Sequence, residues 1–167
     1  MNKINYLIMD VDGTLTDGKI YIGNEGEIFK VFSIKDGYGI HNILPQEKII
    51  PIVITGRASD ILKIRCNELG IKNIYQGAVH KIENLEMCRR NLGLNLKEVA
   101  YIGDDLNDFE CMQVVKRAGG VVGCPQDAVK AIQDSADFIS AFSGGNGAVR
   151  DFIEWISEYN TRCIDEV

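Results

Sequence analysis

Five short, largely apolar runs, spaced by stretches of helical character, leave this chain few folds to choose from. They are YLIM (6–9), IIPIVIT (49–55), NIYQ (73–76), VAYIG (99–103) and GGVVG (119–123). Continuous rather than alternating hydrophobicity marks strands buried on both faces, as in a parallel sheet. Between them, residues 59–69 carry Ile61, Leu62, Ile64 and Leu69 on one side and stop at Gly70, while residues 81–92 stop at Gly93. Glycine just past the last helical residue is a common terminator. Two more helices are expected over 109–118, ahead of Gly119, and over 147–159, with Val149, Phe152, Ile153 and Ile156 on one face. Strand alternating with helix predicts an α/β fold of three layers, a central parallel sheet covered on both sides.

One segment breaks the rhythm. KIYIGNEGEIFKVF (19–32) reads as a β-hairpin around Gly23-Asn24-Glu25-Gly26, with one wet and one dry face. No internal repeat, linker or low-complexity tract interrupts the chain, so residues 1–167 read as a single domain.

Composition narrows the partners. With 46% hydrophobic and 25% charged residues, the chain has the balance of a soluble globular protein. A net charge of −6 with no dominant basic patch argues against nucleic acid. MNKINYLIMDVDG does not read as a signal peptide, and no run approaches the roughly 18 apolar residues of a membrane span. The five cysteines (Cys66, Cys88, Cys111, Cys124, Cys163) form no CxxC pair and read as reduced thiols of a cytoplasmic protein.

Chemistry concentrates where the strands end. The first strand runs into Asp10 and Asp12; the second ends in Thr55-Gly56-Arg57; His80 and Lys81 follow the third; the fourth leads into GDDLND (103–108). In open parallel sheets these carboxyl ends share one rim, where ligands bind. Asp10 and Asp12, two apart in extended chain, are expected to point the same way while Val11 faces the core. With Asp104 they form a carboxylate cluster that would repel itself if dry. Mg²⁺, a hard cation with oxygen ligands, resolves that repulsion and draws in a substrate phosphate. Thr55 and Lys81 then offer a hydroxyl and a fixed positive charge to phosphoryl oxygens. A carboxylate nucleophile would form an aspartyl-phosphate, and a second aspartate would protonate the leaving alcohol and then activate water.

Four such motifs in this order resemble the haloacid dehalogenase-like (HAD) superfamily over nearly the whole chain. DVDGT matches its first motif, Thr55 its second, Lys81 its third and GDDLND its fourth. The resemblance implies a Rossmann-like core with Asp10 as nucleophile and Asp12 as general acid/base. It implies metal ligation by Asp10, Asp104 and the backbone carbonyl of Asp12. Asp105 and Asp108 would orient the metal's waters and Lys81; Asn107 would join them or serve as the N-cap of the next helix. An acid two residues after the nucleophile marks, in this superfamily, the members that hydrolyse phosphate esters.

Thr55 lies only 43 positions after Asp12, and Lys81 26 positions after Thr55, so no cap domain fits. The hairpin after DVDG, DGYGI (36–40), TGR (55–57), YQG (75–77) and GGNGAVR (144–150) resemble the capless phosphatases of 3-deoxy-D-manno-octulosonate (KDO) 8-phosphate. That likeness implies a homotetramer whose hairpins meet at subunit interfaces and whose sites are covered by neighbours. It also implies a small phosphorylated sugar acid as substrate, with Gly56 and Arg57 near it and Arg57 on the carboxylate. Arg150 stands as a further substrate or intersubunit contact, or as a solvated arginine at the start of the last helix. Lys35 and Asp36 would line the mouth of the site. His41 reads as helix surface, and His80 as a neighbour of Lys81. A phosphatase of nine-carbon sialic-acid-type 9-phosphates, and a non-catalytic HAD-like partner of a nucleotide-sugar synthase, are the alternatives.

Overall fold

The computed structural model describes residues 2–165. Its centre is a six-stranded sheet of β1 (Tyr6–Met9), β4 (Ile50–Ile54), β5 (Asn73–Tyr75), β6 (Val99–Ile102), β7 (Val121–Cys124) and β8 (Phe138–Ile139). Strand order is β5-β4-β1-β6-β7-β8, every pairing parallel. The two-residue β8 was not foreseen, because so short a run carries no periodicity.

Alternate residues of each buried strand feed different cores, which is why the runs are continuous. Leu7, Met9, Val53 and Ile102 pack with Val149, Phe152, Ile153 and Ile156 of the long C-terminal helix. Ile8, Ile52, Ile54 and Tyr101 pack with Leu85, Cys88, Cys111, Met112 and Val115. Each such side chain contributes about 2 kcal/mol of burial. All five cysteines are free and buried, none of them a surface thiol.

The helices include α3 (Asp60–Leu69), α4 (Lys81–Leu92), α5 (Leu106–Arg117), α6 (Lys130–Ser135) and α7 (Ala148–Asp165). Helix α5 starts earlier than its apolar pattern suggests, because Asp105 caps it by accepting the Leu106 N–H at 2.7 Å. Between the hairpin and β4, two short helices, α1 (Ile34–Tyr38) and α2 (Leu44–Glu47), flank a π-helical turn at Gly39–Ile43. Nothing larger lies between β1 and β4, and only α3 and β5 lie between β4 and α4, so there is no cap. No helix among the described residues is long and apolar enough to cross a membrane.

The hairpin, β2 (Tyr21–Gly23) with β3 (Gly26–Phe29), forms a separate antiparallel sheet. Its expected dry face is absent within one chain: Ile20, Ile22, Ile28, Phe29 and Val31 are all exposed. Alternation in the sequence reported a surface that wants cover, and this chain supplies none.

Candidate active site

Strand register sets the level of the site. Met9 pairs with Val53 on one side and Ile102 on the other. Asp10, Thr55 and Gly103-Asp104 therefore leave the sheet at one edge. The Asp10 N–H still bonds the Ile102 carbonyl at 3.0 Å, and the Thr55 N–H bonds the Tyr75 carbonyl at 2.9 Å. Lys81 enters as the first residue of α4.

Lys81 is the hub. Its buried Nζ donates to Asp10 Oδ1 at 2.6 Å and to Asp108 Oδ1 at 2.7 Å. The Tyr101 hydroxyl donates to the same Asp108 oxygen at 2.7 Å, and Thr14 Oγ1 donates to Asp104 Oδ1 at 3.0 Å. Asp10, Asp104 and Asp108 each bring a carboxylate oxygen within 4.8 Å of the others. Gly13 makes the room. At φ +100° it adopts a backbone that L side chains avoid, and a Cβ there would sit 2.0 Å from Asp104 Oδ2. The GGNG stretch packs on the back of the same loop, where a Cβ on Gly144 would lie 1.9 Å from the Gly13 carbonyl oxygen.

The charge does not balance. Burial pushes Asp10 up to about 7, against the pull of Lys81 and with a further push from Asp104. Burial likewise raises Asp104 to about 6, helped by Asp108, and Asp108 to about 6, helped by Asp10. Burial alone would depress Lys81, but Asp10 and Asp108 hold its ammonium above the usual lysine range. Three carboxylates thus face one cation, and Asp108 Oδ2 is buried without a hydrogen-bond partner. Hard oxygen donors, excess negative charge and an unsatisfied carboxylate oxygen fit a divalent cation held by these residues.

Not every residue expected at the rim joins this cluster. The carboxylate of Asp12 pairs with Lys30 of the hairpin segment and is not one of the three within 4.8 Å of one another. Asp108, expected behind the metal ligands, accepts from Lys81 and lies within the same 4.8 Å cluster as Asp10 and Asp104. Asp105 caps α5, while Asn107 is exposed in its first turn and is not the cap. Thr55 is buried, whereas Gly56 and Arg57 are exposed, with Arg57 Nη2 3.8 Å from Glu27 Oε1. Arg150 engages Glu154 at 2.6 Å and lies over the Tyr38 ring. Asp36 does not line an open mouth: it is buried and accepts the N–H groups of Gly147 (3.2 Å) and Arg150 (2.8 Å) at the start of α7. Burial raises its carboxyl above the ordinary range despite those bonds. Lys35 is exposed, as are His41 and His80.

Tyr101 and Lys30 were missed by sequence reasoning. The signal for Tyr101 was a phenol inside an otherwise apolar strand, since a buried tyrosine hydroxyl seeks a partner. For Lys30 there was none, because lysine in a hairpin normally faces water.

Comparisons with known proteins show the family. Residues 27–153 match the model of the haloacid dehalogenase-like hydrolases. The chain is 40% identical over 149 residues to the KDO 8-phosphate phosphatase of Escherichia coli K12, covering 89% of this chain and 77% of that one. A crystal structure of the Yersinia pestis KDO 8-phosphate phosphatase superposes with a TM-score of 0.87 at 38% identity, over 95% of this chain and 83% of that one. A Moraxella catarrhalis KDO 8-phosphate phosphatase structure, in complex with magnesium, phosphate and KDO, gives 0.85 at 37% identity, over 98% and 92%. On its sequence match, its sheet and its rim of aspartates around a buried lysine, the chain belongs to the haloacid dehalogenase-like hydrolases.

Proposed function

We propose that this chain is a magnesium-dependent phosphoric monoester hydrolase that converts KDO 8-phosphate to KDO and phosphate through an aspartyl-phosphate on Asp10. The observation that carries the reading is the buried constellation of Lys81 between Asp10 and Asp108, with Asp104 beside them. Its identity of 40% to the E. coli phosphatase supports the choice of substrate.

In this reading Asp10, Asp104 and the backbone carbonyl of Asp12 hold Mg²⁺. The ion, when bound, neutralises the carboxylates and the phosphate dianion. Lys81 keeps Asp10 oriented and ionised, and Asp108, braced by Tyr101, keeps Lys81 in place. An Asp10 oxygen attacks phosphorus as the bond to the bridging ester oxygen breaks. That oxygen takes a proton from Asp12 and leaves as the alcohol. Water then attacks the phosphorus, giving its proton to Asp12, and the bond to Asp10 breaks to release phosphate. Thr55 and Lys81 steady the phosphoryl oxygens, Arg57 and Gly56 stand nearest the sugar-acid end, and Asp105, Asn107 and Arg150 support the surrounding loops.

The assembly is a homotetramer of single-domain chains in the cytoplasm, with hairpins packed at the subunit interface. The exposed Ile20, Ile22, Ile28, Phe29 and Val31 favour that cover over solvent. Phosphate release from the eight-carbon and nine-carbon sugar-acid esters, with Mg²⁺ and with chelator, tests the reading. A magnesium-dependent preference for the eight-carbon ester is expected; preference for the nine-carbon ester sinks the octulosonate assignment.

A further inference from the structure

The hairpin segment reaches the rim through one side chain. Lys30 follows directly on β3, in a hairpin whose apolar residues are exposed, yet its own side chain is only 4% exposed. Its Nζ pairs with Asp12 Oδ1 and lies 3.1 Å from Glu27 Oε1. Glu27 also accepts from the Ser59 hydroxyl, the N-cap of α3, and faces Arg57 at 3.8 Å. A lysine with its stem along a protein surface normally keeps its ammonium in water. Here the ammonium is withdrawn from water and shared between two carboxylates, one of them at the rim.

We propose that Lys30 is a positioning residue for Asp12. It holds the carboxyl in the orientation from which a proton reaches the bridging oxygen of the ester. This rests on the proton-donor role given to Asp12 above. Asp12 lies in a turn after β1, outside any regular element. Its carboxyl group has no other hydrogen-bond partner among those described. Freed from Lys30, it would rotate among several staggered positions. A displacement of about 1 Å in a reacting group can cost a hundredfold in rate. Glu27 shares the ammonium, so Lys30 orients Asp12 without being committed to it alone. The same Glu27 links the arrangement to Ser59 and Arg57 on the neighbouring strand-end loop.

The leaving group separates this role from a merely structural one. An alkoxide must be protonated as the P–O bond breaks, whereas p-nitrophenolate departs as a stable anion. With saturating Mg²⁺, Lys30→Ala should lower kcat/KM for the eight-carbon sugar-acid phosphate by about 30- to 100-fold. For p-nitrophenyl phosphate the loss should stay below about threefold, on the same principle. Equal losses on the two esters, or no loss on either, overturn the role of Lys30. Should Lys30→Ala not fold, Lys30→Met keeps the aliphatic stem and runs the same comparison. Asp12→Asn is the reference. Selective loss in Asp12→Asn with none in the Lys30 variant overturns Lys30 alone. Loss without selectivity in Asp12→Asn overturns the proton-donor reading itself, and Lys30's role with it.

Discussion

Lys81, Asp10 and Asp108 lie almost wholly out of water at the carboxyl edge of the sheet, whereas Ile22 and Ile28 of the hairpin are 69% and 59% exposed. One region has drawn charge into the interior; the other has put apolar surface outside. Both run against the usual partition of residues. Each is also incomplete within the chain. The rim lacks positive charge to match three carboxylates, and the hairpin lacks a surface to cover its isoleucines. A small cation would complete the first; in the proposed tetramer a neighbouring subunit would complete the second. Lys30, pairing Asp12 and Glu27, is where the two regions meet.

The largest expected effect strikes the rim alone. Asp10→Asn should reduce kcat by at least about a thousandfold, since it removes the nucleophile. Circular dichroism should show the fold retained, and turnover surviving the change would refute the aspartyl-phosphate. Next is pH. Burial lifts the folded pKa of Asp10 to about 7 and of Asp104 and Asp108 to about 6. The stability that protonation lends the metal-free fold is therefore complete below about pH 4 and lost as pH rises through 6 to 7. Each carboxylate contributes about 1.4 kcal/mol per pH unit within its window. Metal binding needs those protons gone, so the rise in Tm on adding Mg²⁺ should be larger at about pH 8 than at about pH 5.5. A gain independent of pH would mean that the carboxylates do not hold the ion.

Gly13→Ala should cost about 2–3 kcal/mol, as a Cβ at φ +100° meets the Asp104 carboxylate. A chemical-denaturation midpoint, with Mg²⁺ affinity read by calorimetry, should show both fold and site weakened; an unaltered affinity would separate the loop from the metal. The smallest effect on the single chain belongs to the hairpin. Ile22→Asp or Ile28→Asp should change the unfolding free energy of the isolated protomer by no more than about 0.5 kcal/mol. Light scattering should nevertheless show a mass below that of the tetramer. An unchanged mass would place the interface elsewhere and leave the isoleucines without cover.

Local signals carried much of the architecture. The run at 6–9 and the helix at 81–92 coincide with β1 and α4, because unbroken hydrophobicity and a terminating glycine act within a few residues. Helix α6 and strand β8 left no comparable trace: Lys130–Ser135 is a single short helix, and Phe138–Ile139 is a strand only because β7 lies beside it. Ile20, Ile22 and Ile28 announced a hairpin but not its wetness, since alternation reports a preference and not a neighbour.

The sequence by itself determined a parallel α/β core and the spacing that delivers Asp10, Thr55, Lys81 and Asp104 to strand ends, because strand period and helix termination are properties of adjacent residues. Only the tertiary structure decided which acids share a site. It set Asp108 beside Asp10 across a span of 98 positions, turned Asp12 toward Lys30, and buried Asp36 against the first turn of α7. Those choices depend on strand order and loop packing, and on the high cost of leaving a buried charge without a partner, which no local pattern of residues records.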